Sequence, residues 1–367
     1  MQVFFDSTVF LQPHAGGIVR YFAEVSRRLP AAAKSLGIPL PQVEVHAGWH
    51  HLPNASQLFH ETVFHGTWVP RWRGSWRLAR AWNEWRLARV ATSLPGDDLI
   101  LHETYYGSRA PRRPHVKRVV TIHDMIPEET APDASRWLVQ AKQASVAAAD
   151  GIIFVSESTR SRFMRIHECK KPFRVIPHAG TLRIMRERRL PDVPWPFILH
   201  VGARKNYKNW VRLVYALANN DQARNYGLVC TGPDFDDEDL GTLSRNGFPL
   251  HRVRHIRGDD DILADLYEHA ACFVFPSLAE GFGIPLLEAA SLRCPIACSE
   301  IDAFREVIGD HAHYFDPTDP ESMASAINAA MSAGRTSQMI LHAHARAAEF
   351  SWERAAESTL SFYRELL

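Results

Sequence analysis

Residues 276–289 read Pro-Ser-Leu-Ala-Glu-Gly-Phe-Gly-Ile-Pro-Leu-Leu-Glu-Ala, directly after the apolar run Cys272-Phe273-Val274-Phe275. A short apolar run, a turn holding Gly281 and Gly283, and Pro285 near a helix start describe a strand, a tight loop and a helix. Glu280 stands before that helix and Glu288 one turn inside it, so both carboxylates can face one ligand from different heights. A surface glutamate on a capped helix is the plain alternative. It leaves Gly-Phe-Gly beside a proline without a reason.

The same alternation recurs outward in both directions. Residues 3–5, 98–101, 118–122, 151–155 and 173–176, then 197–201, 226–230, 272–275 and 295–298, form apolar runs separated by helical patterns. Continuous rather than alternating apolar runs are expected of parallel strands covered on both faces. The fold class is therefore α/β, doubly wound around parallel sheets. Residues 177–196 interrupt the pattern, with a charge-rich 182–189 and prolines at 191, 194 and 196. Two Rossmann-like domains are expected, 1–180 and 181–350, with a final helix in 351–367 able to pack back on the N-terminal one.

At 367 residues, 46% hydrophobic and 23% charged, a disordered chain is excluded. No run of about 18 apolar residues is present to span a bilayer. The opening MQVFFDSTVF lacks the charged region and cleavage site of a signal peptide. Five cysteines without a CxxC pair read as reduced thiols, so a cytoplasmic protein is expected. The net charge of +1 conceals an asymmetry. Through Gly180 there are 23 Lys/Arg against 15 Asp/Glu, and after it 19 against 26. A basic first half suits an anionic partner.

Parallel α/β sheets bind ligands at the carboxyl ends of their strands, and four loops there stand out. Gly16 and Gly17 precede a helix expected to run to about Leu29, and let backbone N–H groups approach an anion. His123-Asp124 follows an apolar strand; the imidazole can bind a sugar hydroxyl or polarise a reacting group, and Asp124 can orient it or cap the turn. Arg204, Lys205 and Lys208 put three cations at a helix start, against its dipole, which makes sense if an anion such as a diphosphate sits there. The fourth is the loop from Glu280 to Glu288.

The stretch Glu280-Gly-Phe-Gly-Ile-Pro-Leu-Leu-Glu288 resembles the E-x7-E motif of the family 4 retaining, nucleotide-sugar-dependent glycosyltransferases. Gly16-Gly17, His123-Asp124, Ser156-Glu157-Ser158-Thr159, Arg204 with Lys208-Asn209, and Phe304-Arg305-Glu306 fall in that family's order. The resemblance covers nearly the whole chain. It implies the GT-B fold, two facing Rossmann-like domains with the active site in the cleft, the first for the acceptor and the second for the donor. It implies that Glu280 contacts the donor sugar, near Gly281 and the N–H groups of Phe282 and Gly283. Glu288 would hold the ribose, and Arg204 and Lys208 the diphosphate, with Lys205 able to replace Arg204. Gly16 and Gly17 would approach that diphosphate, His123 would reach the sugar, and Gly232 lies in a loop suited to the base. No cofactor or metal is expected. The implied reaction moves a hexose, mannose from GDP-mannose in the first instance, to a saccharide or lipid-linked saccharide of a surface polysaccharide.

Rival signals are present. Asp234-Phe235-Asp236 is a literal DxD that could bind a metal, or simply a helix N-terminus. Residues 68–90 interleave five tryptophans with six arginines. On a helical wheel Trp72, Trp76, Ala79, Leu87 and Val90 share one side and Arg73, Arg77, Arg80 and Glu84 another. That segment suits either an anionic membrane at the inner face of the cytoplasmic membrane or burial against its own domain. Its arginines could grip a nucleic acid, which the near-neutral total charge argues against. His102, Tyr105 and Tyr106 follow a strand and, with Asp124, suit an acceptor saccharide. A GT-B epimerase or phosphorylase, or a non-catalytic saccharide-binding protein, would keep the fold and change the activity.

Overall fold

A computed structural model of the chain describes residues 1–12, 16–93, 98–108, 113, 115–130, 135–182, 193–204 and 206–367, without side-chain detail at 91–93 and 206. The loop residues Pro13, His14 and Ala15, the connection 183–192 and the cation Lys205 lie outside these.

Two compact units emerge, one made of Met1–His178 with Ser351–Leu367 and the other of Ala179–Phe350. The first is built on strands β1 (Gln2–Phe5), β2 (Gln42–His50), β3 (Val63–Trp68), β4 (Leu99–Glu103), β5 (Val116–Ile122), β6 (Gly151–Phe154) and β7 (Phe173–Val175). They form one sheet in the order β3-β2-β1-β4-β5-β6-β7. All pairs are parallel, Phe4 lying opposite Glu44 on one side and Leu101 on the other. The second unit holds β8 (Phe197–Val201), β9 (Gly227–Thr231), β10 (Val253–His255), β11 (Cys272–Phe275), β12 (Ile296–Ser299) and β13 (His313–Phe315). Their order is β10-β9-β8-β11-β12-β13, again parallel throughout. In both sheets the winding reverses beside the first strand, between β1 and β4 and between β8 and β11. Ligands bind doubly wound sheets at such switch points.

The central strands are apolar and buried on both faces, as their sequences require: Ile152, Ile153 and Phe154, or Phe273, Val274 and Phe275. Four strands were not expected. β10 and β13 are three-residue edge strands, too short to show a period, and β2 and β3 are rich in histidine, glycine and glutamate.

Helix Gly17–Ser35 continues past Leu29 through Pro30, which lies inside it. Proline removes one helical N–H bond, but Ala32 and Ala33 on the next turn are buried and packing holds the helix together. It packs against the last helix, Trp352–Leu366, which belongs to the first unit. Arg28 Nε donates to Glu353 at 2.8 Å across this pair.

The aromatic-basic segment folds differently from its wheel. The helix begins at Ser75, leaving Trp68 in β3 and Trp72 before the helix. Ser75, Ala79, Asn83 and Leu87, spaced four apart, are its buried stripe. Asn83 fits the backbone of β2, donating to the Trp49 carbonyl at 2.9 Å and accepting from the Trp49 N–H at 2.8 Å. Trp72 and Trp76, expected beside Ala79 and Leu87 on one side, are 54% and 43% exposed. The reason is geometric: a polar Asn83 takes the centre of the contact face, so the bulky rings turn outward.

Candidate active site

The carboxyl ends of β8 and β11 lie side by side in the second unit, and their loops are tied together. The Leu278 N–H donates to the Tyr207 carbonyl at 2.7 Å. Asn209 donates through Nδ2 to the Pro276 carbonyl at 3.0 Å and to that of Pro317 at 2.7 Å. Asn209 holds a left-handed backbone (φ 60), a conformation asparagine tolerates better than most residues. The sequence places this residue in the basic turn but gives it no role of its own. Its signal was an Asn closing the basic turn before an apolar helix.

The tie brings Lys208 and Glu280 together, Nζ donating to Oε1 at 2.6 Å with both side chains mostly buried. The Lys208 ammonium also lies 5.1 Å from the Tyr207 ring centroid and 5.4 Å from that of Phe275. Four residues on from Lys208, Arg212 donates to the Asn209 side chain at 3.0 Å and keeps the turn in shape. Glu280 leads into Gly281, Phe282 and Gly283, all buried. Gly283, at φ 112, is the N-cap of helix Ile284–Ser291, so that helix presents its N-terminal N–H groups beside the ion pair. Glu288 is buried on the same helix, with the Tyr267 hydroxyl donating to Oε2 at 3.4 Å. Phe304 stacks on Phe275 behind the loop, centroids 4.6 Å apart.

Gly202 and Gly232 end β8 and β9 at φ 113 and 104. A Cβ on Gly232 would come within 2.7 Å of the Gly202 carbonyl oxygen, so the close approach of the two turns requires glycine at 232.

Arg204 departs from expectation. Its side chain is 1% exposed, Nε donates to Asp239 at 3.0 Å, and Nη2 donates to the Pro233 carbonyl. The guanidinium lies over Phe235 at 4.4 Å. Nη1 is buried with no hydrogen-bond partner among the described residues. The charge is thus turned inward onto Asp239, and Lys208 is the loop cation that meets Glu280. Beneath them His200 is fully enclosed, its pKa lowered to about 3 by burial first and then by the charges of Arg204 and Lys208.

The aspartates of the Asp234–Asp236 segment are engaged by neighbouring residues. Asp234 pairs with Arg257 and His255. Asp236 caps helix Asp237–Arg245 in a reciprocal box with Asp239. Asp259 likewise accepts from the Ile262 N–H.

In the first unit, Gly16 is the N-cap of helix Gly17–Ser35, where its N-terminus follows the loop after β1. His123 ends β5 in a cluster of rings, 5.4 Å from Tyr21 and stacked 5.8 Å from His178. Both its ring nitrogens are buried without a hydrogen-bond partner among the described residues, and burial holds its pKa well below the usual histidine value. Asp124 accepts from the Ile126 N–H at 3.1 Å and so shapes the turn, while its carbonyl accepts from Lys142.

Two of the four expected acceptor residues, His102 and Tyr106, are enclosed in the first unit. His102 lies within β4, wholly buried, bonded to the Tyr363 hydroxyl at 2.6 Å and to Thr121 Oγ1 at 2.8 Å. It is a core residue because β4 runs two residues further than its apolar run suggested. Tyr106 is also buried and accepts from the His123 N–H at 3.2 Å, so it positions the histidine rather than lining an open surface. Tyr105, against it at 4.7 Å, is half-buried. Asp6 went unnoticed: its carboxylate accepts from Thr8 and Thr104 and joins the ends of β1 and β4.

Comparison with known proteins accounts for both units. The model of glycosyl transferases group 1 matches residues 183–346, and that of glycosyltransferase family 4 matches residues 15–179. The chain belongs to the family 4 glycosyltransferases. It is 27% identical over 272 residues to O-antigen chain mannosyltransferase B of Escherichia coli, covering 68% of this chain and 71% of that one. It is 32% identical over 279 residues to the serotype-specific mannosyltransferase WbdA of E. coli, over 68% of this chain. That match spans about a third of WbdA, 34% of its length. Anabaena HepE, solved in complex with UDP-glucose, superposes with a TM-score of 0.74 at 16% identity, over 100% of this chain and 99% of that one. The fold of this glycosyltransferase is GT-B.

Proposed function

We propose that this glycosyltransferase moves mannose from GDP-mannose, with retention of configuration and without a metal, to a saccharide or lipid-linked saccharide in surface polysaccharide synthesis. The observation that carries this reading is the Lys208–Glu280 pair at the β8–β11 switch point, beside the glycine-capped helix start. The mannose choice rests on the similarity to O-antigen mannosyltransferases. A nucleotide sugar is the ligand of the structural neighbour HepE.

In this reading the second unit binds the donor. Lys208 and the N–H groups at the start of helix Ile284–Ser291 stabilise the charge that grows on the departing diphosphate. Glu280 holds Lys208 in place and accepts from hydroxyls of the sugar, and Glu288 accepts from the ribose. Arg204, bound to Asp239, acts mainly by shaping the loop, while Nη1, which has no hydrogen-bond partner among the described residues, can donate to phosphate. The acceptor hydroxyl attacks the anomeric carbon on the face the diphosphate leaves. The carbon–oxygen bond to phosphate breaks, and the hydroxyl proton passes to a phosphate oxygen. No enzyme nucleophile is required. His123, neutral and held by Tyr106, is the first unit's candidate for contact with the sugar, with Gly16 and Gly17 offering N–H groups to an anion.

The exposed Trp68, Trp72, Trp76, Trp82 and Trp85, among arginines, support a peripheral contact with anionic lipid at the inner face of the cytoplasmic membrane. No helix of the described residues is long and apolar enough to cross a membrane.

Calorimetric titration with GDP, UDP, ADP and dTDP and their sugar conjugates, with chelator present, tests the donor assignment. Binding confined to the guanosine series, with GDP released from GDP-mannose only when acceptor is added, is the expected result. The second condition separates transfer from epimerase or phosphorylase chemistry. Binding only after manganese is added would overturn the metal-free site.

A further inference from the structure

Away from the donor loops, three ligating side chains meet at the edge of the seven-stranded sheet. Glu44 and His46 are two apart on β2 and so share a face. His65 comes alongside from the edge strand β3. The β2–β3 register shifts between Val45 and Gly48, so His46 sits in the irregularity, where such a shift re-aims a side chain. Glu44 Oε2 lies 3.1 Å from His46 Nε2 and 3.0 Å from His65 Nε2. The two rings stack with centroids 4.8 Å apart and planes 27° from parallel. Phe4 packs against His46, ring centroids 5.3 Å apart, and His46 is 8% exposed. One ligand atom from each of the three residues lies within 4.8 Å of the others, and no other such group of three occurs among the described residues.

We propose that Glu44, His46 and His65 bind one divalent transition-metal ion of the zinc class. Two imidazoles that share a single carboxylate oxygen already stand nearly as zinc ligands do: bonds of about 2.0–2.2 Å hold tetrahedral donor atoms roughly 3.2–3.6 Å apart. A set of two histidines and one carboxylate suits zinc and its neighbours in the first transition row, whereas magnesium and calcium prefer all-oxygen shells. Remaining positions open to water past Glu44 and His65, which are half-exposed. The ion would fasten the edge strand β3 to β2, since its ligands come from both. It lies in the first unit and takes no part in the donor chemistry assigned to the second. Arg86, on the helix Ser75–Ser93, directs a like charge at His46 and would hold the affinity down.

The test is calorimetric titration of the chelator-stripped full chain with zinc chloride, and with cobalt(II) followed by its ligand-field absorption. One saturable ion per chain and a higher thermal midpoint are expected. His65→Ala and Glu44→Gln should each weaken binding at least about tenfold. Arg86→Ala should tighten it, and His60→Ala, at an exposed neighbouring histidine, should change nothing. His65 is a half-exposed residue of an edge strand, and an unchanged circular dichroism spectrum will show that its variant folds. Absence of saturable binding to the wild-type chain, or wild-type affinity and stoichiometry in both ligand variants, would overturn the site.

Discussion

Lys208 carries the largest single expectation. Its ammonium is held by Glu280 and two aromatic faces in a mostly buried site, where a fixed charge acts strongly on a leaving diphosphate. Lys208→Ala should lower kcat by about 10²-fold or more, read by steady-state release of nucleoside diphosphate; wild-type turnover in that variant removes the role. Glu288→Ala should weaken nucleotide binding in the same calorimetric titration while leaving the fold intact. Titration at this scale also has a sign. Burial lowers the pKa values of His102, His178 and His200 to about 3, so each stays neutral when folded. Unfolded, each takes a proton near pH 6.5. Their stabilisation is present above about pH 6.5 and is lost as pH falls toward 3. Glu103 works the other way: burial, opposed by Arg118, raises its pKa to about 7, so ionising it weakens stability as pH rises from about 4.5 to 7. Three imidazoles outnumber one carboxyl, and the thermal midpoint should fall on acidification from pH 6.5 to 4. A midpoint that rises over that range contradicts this. The residues with chemistry were legible as loops after apolar strands. What could not be read was direction: nothing in the sequence says that Arg204 turns inward to Asp239, or that His102 stands inside the sheet.

Strand ends and helix starts decide how these side chains meet, and glycine sets the closest approach. Gly232→Ala would place a Cβ against the Gly202 carbonyl at a φ of 104, and should destabilise the second unit by roughly 1–3 kcal/mol, seen as a lower thermal midpoint. An unshifted midpoint would mean that the two turns can part freely. The helix Ser75–Ser93 tests the opposite case, an element whose large side chains face out. Trp82 stacks on Trp49 at 5.2 Å and lies tilted against Trp85 at 5.0 Å, yet all three are exposed. Trp82→Ser with Trp85→Ser should leave the thermal midpoint nearly unchanged and reduce flotation with anionic liposomes. Unchanged flotation removes the membrane reading. Apolar runs revealed the central strands because burial on both faces forces that composition. Edge strands carry no such demand, which is why β3, β10 and β13 had no comparable signature, and β2, next to the edge, breaks its apolar run with Glu44, His46 and Gly48. The wheel of residues 68–90 failed for a related reason, since it weighed size and not the ability of Asn83 to pair with backbone.

Each unit has its own sheet and its own switch point, but their chain economy differs. The second unit is one continuous stretch, whereas the first takes its last helix from the end of the chain. Trp352, Leu360, Phe362 and Tyr363 are all buried there, and Tyr363 bonds His102 in the sheet. A chain cut after Phe350 should therefore lose the cooperative unfolding of the first unit and keep that of the second, which limited proteolysis with mass spectrometry would resolve. Retention of both would show that the helix is an ornament. The two-domain α/β plan was legible because the strand–helix alternation stops and restarts around the proline-rich stretch; the return of the final helix was open, as an amphipathic helix fits any apolar face. That return also sets a clock. A ribosome adding about 5–20 residues per second needs roughly 10–40 s to go from His178 to the terminus. Throughout that interval the helix Gly17–Ser35 shows the apolar face around Tyr21 and Phe22 to the cell, a standing invitation to chaperones. The half of the enzyme made first is the half completed last.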